Sequence, residues 1–82
     1  MNRPTILITT EEAKAIRSLK RLAKKWPQSI RIFSQAGTLI VTKANSHGIQ
    51  ATVAFVEGIP NDGGDPSADE LDQHAQIEWP NP

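Results

Sequence analysis

The stretch TTEEAKAIRSLKRLAKKWP, residues 9–27, carries both ends of a helix in its own letters. Thr9 followed by Glu12 is a capping box: the hydroxyl takes the amide three residues on, and the carboxylate returns to the Thr9 amide. Glu11 and Glu12 stand at the positive end of the helix dipole, and Lys24 and Lys25 at the negative end. Pro27 cannot continue a helix and pushes Trp26 out of helical conformation. A helix of about four turns over residues 10–26 follows.

Its side chains sort into two arcs at 100° per residue. Ala15, Ile16, Leu19, Leu22, Ala23 and Trp26 share one arc and are expected to face a core. Lys14, Arg17, Lys20, Arg21, Lys24 and Lys25 share the other. Most of that cationic face has no glutamate one turn away, so each like-charged pair costs a few tenths of a kcal/mol.

Around the helix the sequence alternates or runs β-branched. TILIT (5–9) and SIRIFS (29–34) read as strands, QAG (35–37) as a tight turn, and TLIVTK (38–43) as a hairpin partner. ANSHG (44–48) is a polar turn in which Gly48 supplies a positive φ, and IQATVAFVE (49–57) is a further strand. The fold expected is α+β, in β-α-β-β-β order. One amphipathic helix packs on an antiparallel sheet in two layers, and an acidic C-terminal tail follows. Strict alternation places Ile30, Ile32, Leu39, Val41, Val53 and Phe55 on the face toward the helix. Arg31, Phe33, Ile40, Thr52, Ala54 and Val56 then fall on the other face. Residues 1–57 form the domain in this reading. GIPNDGGDPSAD (58–69) opens a Gly/Pro-rich linker and tail to residue 82, with a short helix near 67–76 and Ile77 and Trp79 as anchors.

Charge divides the same way. Residues 1–50 hold all nine Lys and Arg against Glu11 and Glu12, a net +7. Residues 51–82 hold seven carboxylates and no cation, a net −7. Such asymmetry points toward partners, or toward a tail that folds back over the basic helix. Eighty-two residues allow one small domain of modest stability. With no cysteine there is no disulfide and no thiolate chemistry, as in a cytoplasmic protein. Leu39-Ile40-Val41 is far short of a membrane span, and the first twelve residues lack the apolar run of a signal peptide.

No catalytic or metal-binding set stands out, and no cofactor is implied. The carboxylates at 62, 65, 69, 70 and 72 miss the spacing of a calcium loop, and DGGD lacks the lysine of a phosphate loop. His47 beside Ser46 is a nucleophile–base pair only in sequence adjacency. The basic helix is the strongest functional signal. Its six cations are the candidate macromolecule-binding residues, and Phe33, Ile40 and Val56 form a candidate apolar partner face or homodimer contact. The expected function is non-enzymatic binding of a protein partner, in a regulatory role and away from membranes. Nucleic-acid binding by the cationic face is the alternative. Because the element order resembles small RNA-binding and toxin domains, a nuclease built around His47 is the third expectation.

Overall fold

The computed structural model describes residues 3–63 and 74–81. It is an α+β structure: β1 (Thr5–Leu7), α1 (Thr10–Lys25), β2 (Ile30–Gln35), β3 (Thr38–Ala44), β4 (Gln50–Val56) and β5 (Gln76–Glu78). The chain divides into two compact units. Met1–Trp26 joins with Glu70–Pro82, and Pro27–Asp69 forms the other.

In the first unit β1 pairs in parallel with β5, setting Thr5 opposite Gln76, Ile6 opposite Ile77 and Leu7 opposite Glu78. The ladder is extended by two further bonds: the Gln76 amide donates to the Pro4 carbonyl at 2.8 Å, and the Ile8 amide donates to the Glu78 carbonyl at 2.8 Å. The sequence predicts an acidic tail over this segment, with a short helix near residues 67–76. Residues 67–73 of that helix lie outside the described residues, but Gln76 is the first residue of a strand. Two polar residues flank Ile77 in β5, so three residues with one apolar side chain give too little periodicity to announce a strand.

Helix α1 forms as its caps dictate. Thr9 is the N-cap, with extended backbone, and Trp26 is the C-cap at φ −65° and ψ 124°, the extended conformation that a following proline requires. Of the stripe expected to face a core, Ile16 and Trp26 are half-buried. Ala15, Leu19, Leu22 and Ala23 are exposed, Leu19 at 64%. The buried helical residue is Ala13, in the first turn beside the cap, at 2%.

The second unit is an antiparallel meander in the order β2-β3-β4. Gln35 faces Thr38, so the β2–β3 hairpin turns in two residues, Ala36 and Gly37. Both have positive φ, 49° and 86°. This is the signature of a type I′ turn, whose twist matches that of the strands. The β3–β4 connection is organised by Asn45. Its side-chain oxygen accepts from the amides of His47 (2.9 Å) and Ile49 (3.0 Å). Its own amide donates to the Ile49 carbonyl at 2.9 Å. Gly48 reaches φ 80°, as the polar-turn reading requires.

Register corrects the expected sheet faces. From Ala44–Gln50 to Thr42–Thr52 the two strands step together, but Val41 faces Ala54 and Leu39 faces Val56. Val53 is the extra residue of a β-bulge at Val41/Thr42. Because side chains alternate with a period of two, one added residue exchanges the faces of everything after it. Ala54 and Val56 therefore join Leu39, Val41 and Ile32. Phe55 joins Ile40 and Phe33 on the opposite face. Val56 is thus not part of the apolar face of Phe33 and Ile40; Phe55 takes its place. Val41, on the central strand, is the buried apolar residue of this unit, at 9%.

After β4 the chain turns at Gly58 (φ 95°) and returns to β2. There Ser34 donates its hydroxyl proton to the Asn61 side-chain oxygen, and the Asn61 side-chain amide holds the Ile59 carbonyl at 2.7 Å. Gly63 lies so close that a Cβ on it would stand 3.3 Å from the Ser34 carbonyl oxygen.

Two substitutions test the turns. Ala36 pays the steric cost of a left-handed backbone, so Ala36→Asn is expected to stabilise the protein by about 0.5–1 kcal/mol in urea denaturation. Asn45→Ala removes an acceptor shared by two amides and is expected to destabilise it by about 1 kcal/mol in the same assay.

Candidate functional site

The cationic face rests on the cap. The Glu12 amide donates to the Thr9 hydroxyl at 3.1 Å, and the Thr9 amide donates to the Glu12 carboxylate at 2.9 Å. The reciprocal pair fixes where the helix begins and hence which way each later side chain points. It also occupies Glu12, one of the two carboxylates in the first fifty residues.

Lys14, Arg17, Lys20, Arg21, Lys24 and Lys25 all lie on α1 and are all exposed. They fan over an arc of about 140° at 100° per residue, along roughly 16 Å of helix axis. Arg17, Lys20, Arg21 and Lys24 line a single shallow surface depression. Among the described residues none of the six has an ion-pair partner. Lys24 and Lys25 sit in the last turn, where the helix dipole favours them. The others stand in i to i+3 or i+4 relation to another cation, a mutual repulsion that an incoming anion relieves.

The second candidate surface belongs to the meander. Phe33, Ile40 and Phe55 face one another in sequence across β2, β3 and β4. Phe33 and Phe55 are exposed, Phe55 at 68%, and Ile40 is half-buried between them. The next rung on this face is polar, made of Arg31, Thr42 and Thr52. Thr42 is buried and donates its hydroxyl proton to the Gln50 side-chain oxygen at 3.0 Å. Gln28, Ser29, Arg31, Thr42, Ala44 and Gln50 line a depression there. One sheet face therefore runs from an aromatic–aliphatic ladder to a polar end with one guanidinium. Sequence reading found Phe33 and Ile40 and missed Phe55, because a bulge at a valine has no local sequence mark.

His47 sits exposed in the β3–β4 connection, its backbone amide bonded to Asn45. Among the described residues no side chain hydrogen-bonds its imidazole. Also among these residues, no helix is long and apolar enough to cross a membrane. Comparison with family models, with curated proteins and with solved structures returned no match.

Helix placement depends on the capping box, so Thr9→Ala is expected to cost about 1 kcal/mol. Thermal melting followed by circular dichroism at 222 nm checks this, and Thr9→Ser is expected to restore most of the loss.

Proposed function

We propose that this protein is a non-enzymatic binding module whose partner is another protein with an acidic surface. The observation that carries the reading is the row of six cations on α1 that has no ion-pair partner among the described residues. A negative surface docked there removes the repulsion within the row and steers association from a distance. The ladder of Phe33, Ile40 and Phe55 supports a protein over a simple polyanion. Exposed aromatic and aliphatic side chains in a row, rimmed by polar groups, are typical of protein contacts. The absence of cysteine is in keeping with work in the cytoplasm.

Nucleic acid is the second reading, favoured by the same cations taken alone. Their contacts would be to phosphates, with little choice of sequence, because no Asn or Gln interleaves with them on the helix.

Binding to polyglutamate, duplex DNA and single-stranded RNA across a salt series decides between them, with the wild type compared to Lys20→Glu/Lys24→Glu. The protein reading expects modest, salt-sensitive binding to polyglutamate that the double variant loses. Affinity capture is expected to yield acidic proteins that the variant no longer retains. Tight DNA or RNA binding with a steep salt slope, lost in the variant, replaces it with the nucleic-acid reading. Nuclease activity abolished by His47→Ala overturns both.

A further inference from the structure

The sheet has two edge strands, and they are treated differently. On the β2 side, Ser34 is bonded to Asn61, Gly63 lies against the Ser34 carbonyl, and Arg31 supplies a charge. Among the described residues β4 pairs with β3 alone. All seven of its residues are exposed. A β-strand with one free side presents a row of unsatisfied amides and carbonyls, and proteins blunt such edges with charges, proline or a cover. Residues 44–56 contain no Asp, Glu, Lys, Arg or Pro, in a chain that is 22% charged. The bulge at Val53 twists the strand but puts no charge on it.

We propose that β4 pairs with β4 of a second copy of this chain, antiparallel about a two-fold axis, to give a continuous six-stranded sheet. Three observations select a second copy as the occupant. First, a two-fold contact sets each residue near the axis against its own copy, so a charge there meets its own kind. The neutrality of 44–56 satisfies that condition, whereas an acidic partner is attracted to cations and β4 has none. Second, the pairing places the most exposed large apolar residues of the strand, Val53 and Phe55, beside apolar residues of the other copy. Third, the buried apolar residues among those described are only Ala13 and Val41. A small domain with few buried apolar residues among those described and no disulfide gains stability from a further staple, and oligomerisation supplies one. A staple must be present whenever the chain folds, and another copy of the chain always is.

The contact uses the strand's edge, so it leaves the Phe33–Ile40–Phe55 ladder on the sheet face to other partners, and it uses none of the cations of α1. Its failure does not bear on the reading of those surfaces.

Sedimentation velocity over a wide concentration range tests it. A concentration-dependent dimer is expected for the wild type. Ala51→Lys and Val53→Lys, each placing like charges near each other across the axis, are expected to raise the dimer dissociation constant about tenfold or more. Both side chains are exposed, so the fold is expected to survive, as circular dichroism would report. Phe33→Ser, on the sheet face, is expected to leave the dimer intact. Hydrogen exchange on the unmodified protein adds a readout that needs no variant: β4 amides are expected to gain protection as concentration rises. A monomer at every concentration overturns the proposal. So does a dimer lost in Phe33→Ser but kept in Val53→Lys, or one in which β4 exchange does not depend on concentration.

Discussion

One residue too many in β4 decides what this protein shows to its surroundings. Without Val53 as a bulge, Phe55 would stand with Leu39 and Val41, and the opposite face would carry the smaller Ala54 and Val56 between its polar residues. With it, Phe55 completes a row with Phe33 and Ile40, and Leu39 and Val41 are flanked by Val56 and Ala54. The same insertion leaves the turn-proximal half of the sheet in simple register, so Thr42 and Thr52 remain opposite each other. The sheet thus has an aromatic end and a hydroxyl-rich end on one face, and the change occurs next to the bulge. Bulges re-aim side chains without altering the strand order, and here the re-aimed side chain is the largest on the strand.

What was legible in the sequence was what depends on neighbours in the sequence. The helix is capped by Thr9 and Glu12 and stopped by Pro27, all within reach of one turn, and its span agrees to about a residue. Both hairpins were readable from Gly37 and from the polar run around Gly48. The six cations fall on one arc because the helical period alone fixes their placement. The strand β5 was not readable, since Gln76–Glu78 gains its conformation from Thr5–Leu7 at the other end of the chain. Nor was the membership of Phe55. Parity was right up to Thr52 and inverted from Ala54 onward, because alternation counts residues and a bulge miscounts them. The burial of Ala13 was also hidden: small, and lying among cations on the helical wheel, it had no pattern to mark it.

The two candidate surfaces are held by different physics. The cationic row owes its position to reciprocal hydrogen bonds at the start of a helix, and its reactivity to charges that lack counterparts among the described residues. The Phe33–Ile40–Phe55 row owes its position to backbone pairing across three strands, and its reactivity to apolar area left in water. Salt weakens the first and leaves the second nearly untouched.

The parallel pairing of β1 with β5 has a consequence for how the chain comes to its final form. The meander needs only a two-residue turn and a short loop to bring its strands together, so it can assemble as soon as residues 27–56 are available. The β1–β5 pair must close a span from residue 7 to residue 76. By the logarithmic cost of loop closure that is about five doublings beyond the tight turn, or roughly 3 kcal/mol. The pair therefore forms only once Gln76–Glu78 can meet Thr5–Leu7 across that span. The unit that carries the cations is thus slower to close than the meander.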